Sequence, residues 1–136
     1  MAIEIPADAW RWAQDGAGEY APVILATAYL ESGFDPHAVG DGGCSKGWLQ
    51  YYTCGGLGDG HSDAELFDPV WEARDMAGRI RGTLANGGTV WDAMQPWSTR
   101  EGAYPLISQI AGGGVLISGD VSASGGVPIG TTPDGK

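Results

Sequence analysis

A chain of 136 residues with 43% hydrophobic content is long enough for one domain with an apolar core and too short for much more. Its formal net charge of -10 argues against a nucleic-acid partner, because phosphate binding depends on Lys and Arg. No apolar stretch approaches the roughly 20 residues that cross a bilayer, and no signal-peptide pattern is seen at the N-terminus. We therefore expect neither membrane insertion nor export by a signal peptide.

Two helices are predicted in the first quarter of the chain. The first has Pro6 in its opening turn, where a missing N–H donor is tolerated, and it ends at Gly16 and Gly18. The second covers about residues 19–32, and its apolar residues occupy most of the circumference. This pattern predicts a helix buried on nearly all sides, with Gly33 as its C-terminal cap.

Segment 34–60 differs in composition, because glycines alternate there with aromatic residues. Such a composition predicts loops and a small β-hairpin rather than a helix. Cys44 and Cys54 flank the predicted hairpin, so a disulfide is geometrically plausible, although the sequence leaves it open. A zinc site that adds His37 and His61 is the alternative, but the spacing matches no common zinc pattern, and surface positions are expected for both histidines.

Three later helices are predicted, each preceded by a residue type that caps helix N-termini. Their N-cap residues are Asp68, Thr89, and either Ser98 or Thr99. The first of these helices begins at Pro69 and ends near Asn86, and the second is the short segment 90–94. The third has an apolar side that includes Leu106 and Ile107.

The composition changes again after Ile110, where Gly, Ser, Val, Pro and Thr predominate. A stretch with so few large side chains does not bury enough surface to offset its ordering entropy. We therefore predict one domain at residues 1–111 and a linker or tail at residues 112–136, in which Val115–Ile117 could still pair as a strand. The expected fold class is α+β, mainly α, with a small β-hairpin and glycine-rich loops beside the second helix.

Glu31, in the last turn of the apolar second helix, is the residue that most strongly suggests chemistry. Burial disfavours the charged form of a carboxyl group, and the partial negative charge of a helix C-terminus has the same effect. Both effects raise the pKa, as a general acid at neutral pH requires. On helix pattern alone, a surface glutamate near a helix end is the alternative.

Two motifs around this helix resemble the lysozyme superfamily, in particular its soluble lytic transglycosylase and goose-type lysozyme branch. They are Glu31-Ser32 and, beyond a glycine-rich loop, Gly47-Trp48-Leu49-Gln50. In that family a Glu-Ser pair ends the catalytic helix and a Gly-Leu-Met-Gln-like motif follows on the hairpin, so Trp48 and Leu49 are a mild departure. The segments Trp97-Ser98-Thr99 and Gly102-Ala103-Tyr104 resemble the closing part of many phage tail lysozymes and replace the Ala-Tyr-Asn of transglycosylases. The resemblance spans about residues 19–110.

The resemblance implies a lysozyme-like catalytic domain that cleaves the β-1,4 bond between N-acetylmuramic acid and N-acetylglucosamine in peptidoglycan. Glu31 would be the catalytic acid. Ser32 would help to orient the site, or would only be a hydroxyl group that ends the helix. The backbone of Gly47–Leu49 and the side chain of Gln50 would line the cleft and bind the sugar, because glycine lets a substrate approach the main chain. Aromatic residues that could either carry sugar rings or belong to the core are Trp48, Tyr51, Tyr52, Trp97 and Tyr104. Tyr104 could also bond the Glu31 carboxyl group, as a family tyrosine near this position does.

A second carboxylate would decide the mechanism. Animal-type lysozymes carry an aspartate two residues before the glycine of the hairpin motif, and this chain has Ser45 there, which excludes a nucleophile at that position. Asp41 instead matches an aspartate with which goose-type enzymes place water, although it could also be a simple turn residue, and Asp35 is a weaker candidate. Hydrolysis is expected if Asp41 acts. If it does not, the substrate's own N-acetyl and 6-hydroxyl groups would attack and give a 1,6-anhydro product.

The resemblance implies no metal ion and no organic cofactor. The expected partners are peptidoglycan strands and, through the C-terminal segment, other virion or tail proteins. The acidity, the Gly-rich tail and the missing signal-peptide pattern favour a phage lysin module that is virion-associated or works in the extracellular or periplasmic space. The rival interpretations are an inactive lysozyme-fold module that only binds the wall or builds the virion, and a chitinase-like glycosidase.

Overall fold

The computed structural model describes residues 3–113 and 115–118, the last four by their backbone alone. This part of the chain is mainly helical with a small three-stranded antiparallel sheet, so the α+β, mainly α class is confirmed. Its helices are α1 (Ala7–Ala17), α2 (Ala21–Ser32), α3 (Asp63–Leu66), α4 (Pro69–Ala85), α5 (Val90–Ala93) and α6 (Arg100–Ala111). Its strands are β1 (Ile3–Pro6), β2 (Val39–Gly40), β3 (Ser45–Lys46), β4 (Tyr51–Tyr52) and β5 (Val115–Ser118). None of the helices in the described residues is long and apolar enough to span a membrane.

Helix α2 forms the centre of the core, as its apolar pattern predicts. All residues from Ala21 to Ala28 are buried, and α1, α4 and α6 pack against the helix. Thr27, the polar residue of this run, donates its hydroxyl proton to the carbonyl oxygen of Val23 one turn earlier. Gly33 follows with a φ of 62° and caps the helix. Glu31 is thus carried by the last turn of a helix whose body is fixed by the core.

The N-terminus corrects the prediction for the first helix. Pro6 does not lie in a helical turn but ends β1 in an extended conformation, and α1 begins at Ala7. The residues of β1 alternate, because Ile3 and Ile5 are buried in the core while Glu4 is exposed. This alternation is the period of a half-buried strand, which explains why the segment is not helical.

Strand β5 extends the folded part beyond the boundary predicted at residue 111. It pairs in parallel with β1, from Ile3 opposite Val115 to Pro6 opposite Ser118. The alternative of a strand over Val115–Ile117 is thereby confirmed. The rest of the predicted tail, residues 119–136, lies outside the described residues, and so does the virion contact expected of it.

The remaining elements follow the predicted breaks and caps. Strands β2, β3 and β4 form an antiparallel sheet in that order within the glycine-rich segment 34–60. Asp68 caps α4 by accepting two N–H bonds from its first turn, and Thr89 forms a reciprocal capping box with Asp92 at α5. Helix α3, which begins after a second capping box at Ser62, was not predicted.

Cys44 and Cys54 form a disulfide, the alternative that the sequence left open. Their Cα atoms lie 5.5 Å apart, and their positions differ by 10 in the sequence. The bond joins the residue before β3 to the chain that leaves β4, so it fastens one end of the small sheet. The two sulfurs are therefore not available as zinc ligands. Among the described residues, no group of three or more His, Cys, Asp or Glu side chains is arranged to hold a metal ion.

Replacing both cysteines with serine should lower the free energy of unfolding by about 2–3 kcal/mol, because the unfolded chain then loses the constraint of a short closed loop. Urea unfolding of the wild type and of the Cys44→Ser/Cys54→Ser variant measures the difference. A phosphine reductant should lower the urea midpoint of the wild type to about that of the double variant. It should leave the midpoint of the double variant unchanged. Equal midpoints for the two proteins would contradict a stabilising role for this bond.

Candidate functional site

A cleft of about 340 Å³ lies where the end of α2, the small sheet and the segment before α6 meet. The residues that line it are Glu31, Asp41, Ser45, Gln50, Tyr51, Tyr52, Gly56, Leu57, Pro96, Trp97 and Ser98. Segments from distant parts of the sequence thus surround one space whose volume is that of a small-molecule site rather than a packing defect. Both candidate catalytic carboxylates, Glu31 and Asp41, face this space.

Glu31 reaches the cleft from the last turn of α2 and is partly buried. Burial raises the pKa of its carboxyl group above the ordinary value of 4.5. The Thr99 hydroxyl donates to Glu31 Oε2 at 2.5 Å and opposes the rise, while the negative charge of Asp41 adds to it. The net result is a raised pKa, so this carboxyl group keeps its proton to a higher pH than a free glutamate does.

Thr99 has a different role from the one predicted for it. It does occupy the N-cap position of α6, but its side chain makes no capping hydrogen bond. Its hydroxyl instead bonds Glu31, 68 residues away in the sequence. Because α2 and α6 pack against each other, the start of α6 is held next to the end of α2.

Tyr104 does not take the position that the resemblance suggested. It is exposed, and its ring packs edge-on against Trp91 with the ring centroids 5.3 Å apart. It is absent from the described lining of the cleft, and Thr99 rather than Tyr104 donates to the Glu31 carboxyl group. The hydroxyl expected from a tyrosine is therefore supplied by a threonine about one and a half turns earlier in the chain.

Asp41 is oriented in the cleft by Ser45. The buried Ser45 donates its hydroxyl proton to Asp41 Oδ2 at 2.5 Å. Asp41 has a φ of 53° at the start of the turn between β2 and β3, a conformation that a residue with a side chain rarely adopts without local support. The hydrogen bond from Ser45 supplies such support. Ser45 therefore fixes the direction of the second carboxylate.

The motif Gly47–Gln50 contributes Gln50 to the cleft, while Trp48 and Leu49 are fully buried. Trp48 donates its indole N–H to the carbonyl oxygen of Pro69 at 3.0 Å. Of the two positions that the sequence left open for Trp48, the structure shows the core, and the cleft lining includes none of Gly47, Trp48 and Leu49, which the resemblance had placed there. A large ring whose N–H finds a partner gains more from burial in the core than from an aqueous surface.

Gly47 is required by packing rather than by a substrate. It has a φ of 87°, and a Cβ atom added to it would lie 2.2 Å from the Leu66 carbonyl oxygen and 2.5 Å from Glu72 Oε2. The space that a side chain would need is therefore filled by α3 and α4. The expectation that Gly47 admits the substrate to the main chain is corrected accordingly, because the atoms that approach here belong to the protein.

Ser32 fastens the end of α2 to the same motif. Its hydroxyl oxygen lies 2.8 Å from the Trp48 carbonyl oxygen, to which it donates, and it accepts the N–H of Asp35 at 3.2 Å. Asp35 in turn accepts the N–H of His37, as expected of a turn residue. Ser32 thus links the end of α2 to the motif Gly47–Gln50, and it is not among the residues that line the cleft.

Gln50 has a φ of 55° and presents its side chain to the cleft. Its amide nitrogen donates to the carbonyl oxygens of Gly47 at 2.9 Å and Ala38 at 3.2 Å. The two hydrogens of this amide are therefore used inside the protein. The carbonyl oxygen Oε1 accepts no hydrogen bond among those described, and it lies at Gly40, 2.5 Å from where a Cβ atom of that residue would be.

The aromatic residues of the site divide into one exposed ring and two buried ones. Tyr52 lines the cleft and is 43% exposed, so its face is accessible to a sugar ring. Tyr51 and Trp97 also line the cleft but are almost fully buried. Tyr51 donates to Asp75 Oδ2 at 2.8 Å, and Trp97 donates its indole N–H to the Leu49 carbonyl oxygen at 2.8 Å. These two rings form the wall of the cleft, while Tyr52 is the accessible platform.

No protein-family model, curated protein or solved structure matches this chain. The chemistry of the cleft residues is therefore the basis for assigning a function. Two carboxyl groups share one cleft, one with a raised pKa and one oriented by a hydroxyl group. Acid–base cleavage of a glycosidic bond uses such a pair, because one group must donate a proton while the other takes a proton from the attacking water.

Sequence reasoning missed Glu72, a buried carboxyl group of α4. The buried residues of this helix are Glu72, Ala73, Met76, Ala77 and Ile80, at the spacing of one helix face. Glu72 therefore stands on the apolar face, and that position was the available signal. Leu57 in the cleft lining had no comparable signal, because it lies in an irregular loop.

Proposed function

We propose that this chain is a glycosidase with a lysozyme-like fold that cleaves the β-1,4 bond between N-acetylmuramic acid and N-acetylglucosamine. The observation that carries the proposal is Glu31, a partly buried carboxyl group with a raised pKa in a cleft that also holds Asp41. A raised pKa favours the protonated form, from which the oxygen of the leaving sugar can take its proton. The resemblance of Glu31-Ser32 and Gly47–Gln50 to soluble lytic transglycosylases and goose-type lysozymes supports peptidoglycan as the substrate.

The proposed reaction is hydrolysis by an acid and a base. Glu31 transfers its proton to the glycosidic oxygen while the bond from that oxygen to C1 of N-acetylmuramic acid breaks. Water adds to C1, and Asp41, held by Ser45, takes the proton that this water loses. The products are a sugar with a free 4-hydroxyl group and a reducing N-acetylmuramic acid. Proton exchange with solvent then returns Glu31 to its acid form and Asp41 to its carboxylate.

The character of the cleft supports a neutral glycan as the group that binds there. Two acidic side chains line it, and the chain carries a formal net charge of -10, so a polyanion would be repelled. Tyr52 offers an exposed ring and Gln50 an acceptor oxygen, which suit the flat face and the hydroxyl groups of a sugar. Since peptidoglycan lies outside the cytoplasmic membrane, the proposed site of action is virion-associated, extracellular or periplasmic.

Incubating the 136-residue chain with purified peptidoglycan and, in parallel, with chitin tests this proposal. The turbidity of the peptidoglycan suspension should fall and soluble sugar fragments should appear, while chitin releases little. Binding to the wall without clearing would favour an inactive wall-binding module. Faster release from chitin would favour a chitinase-like glycosidase, and either result contradicts the proposal.

Replacing Thr99 with valine should move the alkaline limb of the activity profile to higher pH. The Thr99 hydroxyl stabilises the charged form of Glu31 and so lowers its pKa, whereas burial and the charge of Asp41 raise it. Removing the hydroxyl should therefore raise the pKa of Glu31 further. The acid form then persists to higher pH, so the alkaline limb should move in that direction. The pH dependence of kcat/KM for wall cleavage measures this shift.

Thr99→Ser is the matched control, because serine keeps the hydroxyl group at this position. Its profile should follow that of the wild type. A Thr99→Val profile that is unchanged, or that moves to lower pH, would show that this hydrogen bond does not govern the acid.

A further inference from the structure

Glu72 is a carboxyl group in the core that the proposed reaction does not use. It is fully buried on α4, and its Oε1 atom accepts the N–H of Leu49 at 2.9 Å. Its Oε2 atom makes no hydrogen bond of normal geometry among the described residues, although the nearby backbone N–H of Tyr51 also favours the charged form of this carboxyl group. Burying a polar group without full pairing is costly, so an apolar side chain would serve better if packing were the whole role of this position.

The contacts of Glu72 converge on the turn that precedes the cleft-lining residue Gln50. Leu49 is fixed at both of its backbone polar groups, since its N–H donates to Glu72 and its carbonyl oxygen accepts the indole N–H of Trp97. Gly47 leaves the space into which Glu72 Oε2 fits. Gln50 follows directly with a φ of 55°, and its side-chain amide donates to the Gly47 carbonyl oxygen, so its direction depends on the conformation of the turn to which Leu49 belongs.

We propose that Glu72 is a positioning residue, which fixes the turn Gly47–Gln50 from the core side and so keeps Gln50 directed into the cleft. The effect on catalysis rests on the proposed function, whereas the effect on the turn does not. Glu72 touches no cleft-lining side chain in the hydrogen bonds described for it and acts through the backbone. The substrate concerned is the one proposed for the cleft, a neutral glycan that would bind Gln50 through a hydroxyl group.

The state of the Glu72 carboxyl group agrees with this role. Burial raises its pKa to about 9, against the smaller opposite effect of the backbone N–H groups of Leu49 and Tyr51, and the charge of Asp75 adds to the rise. The Tyr51 phenol stays neutral beside it, because burial raises the pKa of that group as well. At neutral pH, Glu72 is therefore an uncharged hydrogen-bond acceptor, a property that glutamine shares and methionine lacks.

Folding then retains a proton that the unfolded chain releases. The folded pKa of Glu72 lies near 9 and the ordinary value is 4.5. Its contribution to stability is therefore fully present below about pH 4.5, declines as the pH rises, and is lost as the pH passes about 9. Glu72→Gln carries no such titration, so its stability relative to the wild type should increase with pH across this range.

The test compares Glu72→Met, Glu72→Gln and Ile80→Ala at a temperature at which circular dichroism shows all three to be folded. Ile80 is buried on the same face of α4, so its truncation destabilises the core without removing a hydrogen-bond acceptor. Glu72→Met should lower kcat/KM on peptidoglycan about tenfold or more, since small misplacements at a site have large effects on rate. Glu72→Gln should restore most of the loss, and Ile80→Ala should behave like the wild type.

Nuclear magnetic resonance gives a second measurement that needs no substrate. In the wild type, the Leu49 amide signal should titrate with a midpoint near pH 9, and in Glu72→Gln it should not. In Glu72→Met the side-chain amide signals of Gln50 should move, whereas Ile80→Ala should leave them in place.

Two results would overturn the proposal. One is a folded Glu72→Met protein with wild-type Gln50 signals, and the other is an active wild type whose Glu72→Met variant cleaves peptidoglycan as fast as Ile80→Ala does. A wild-type chain that cleaves no glycan but shows both spectroscopic effects would refute the proposed function and leave the positioning role standing.

Discussion

Glu31→Gln should reduce the cleavage of peptidoglycan by at least about a thousandfold, because the amide has no proton to give to the leaving oxygen. Glutamine has the same shape, and its carbonyl oxygen can still accept the Thr99 hydroxyl bond that Glu31 accepts at 2.5 Å. The raised pKa means that folding favours the neutral form of Glu31, so removing its charge should not destabilise the domain near neutral pH. Initial rates of wall solubilisation, measured beside thermal unfolding, separate the loss of chemistry from a loss of fold.

Glu101→Gln is the matched control for this substitution. Glu101 is an exposed glutamate of α6 that is not part of the cleft lining, and the change removes the same charge. This variant should cleave at the rate of the wild type. A Glu31→Gln protein that also cleaves at that rate would remove the proton donor from the proposed mechanism.

Gly47→Ala should destabilise the domain by roughly 3 kcal/mol or more, from a combination of steric overlap and backbone strain. The new Cβ atom would meet the Leu66 carbonyl oxygen at 2.2 Å and Glu72 Oε2 at 2.5 Å. The first of these atoms belongs to the backbone of α3 and has no rotamer by which to move away. The φ of 87° adds strain for any residue with a side chain. Urea unfolding measures the loss of free energy.

Gly55→Ala isolates the backbone contribution. Gly55 has a φ of 104°, and nothing lies within 4 Å of the position of an added Cβ atom. Its replacement should cost about 1 kcal/mol, the effect of the left-handed conformation alone. Equal losses at the two glycines would mean that Gly47 is required by its φ and not by the packing of Leu66 and Glu72.

The sequence predicted those parts of the fold that depend on local pattern. The apolar circumference of α2 and the glycine after it place Glu31 at the end of a buried helix, and the structure agrees. Asp68 before Pro69 similarly predicted the start of α4. In each case the signal lies within one turn of the residue that it describes, so no knowledge of distant contacts was needed.

The parts that sequence reasoning could not predict depend on contacts between distant segments. Thr99 reads as a helix cap, and only the packing of α6 on α2 brings its hydroxyl to Glu31. For Trp48 the sequence favoured the core without excluding the cleft, since a large ring is found in both places, and the contacts of the folded chain place it in the core. The two-residue alternation of β1 is too short to outweigh the helix signal of Pro6, and its partner β5 lies at the other end of the domain.

Glu72 illustrates the same limit within a correctly predicted helix. The spacing of its neighbours places it on the apolar face of α4, but nothing local indicates what the carboxyl group would meet there. Its partner is the N–H of Leu49, 23 residues earlier, and the space for its second oxygen exists because residue 47 is glycine. Most of the motif Gly47–Gln50 is therefore buried, and its Leu49 N–H forms a buried hydrogen bond with Glu72.

Mass spectrometry of the fragments released from purified peptidoglycan tests the central claim most directly. If Glu31 protonates the glycosidic oxygen and Asp41 directs water to C1, each new fragment should end in a reducing N-acetylmuramic acid, and Glu31→Gln should release none. Fragments that end in 1,6-anhydro-N-acetylmuramic acid, or a wall that yields no fragments to the folded wild-type protein, would contradict the account.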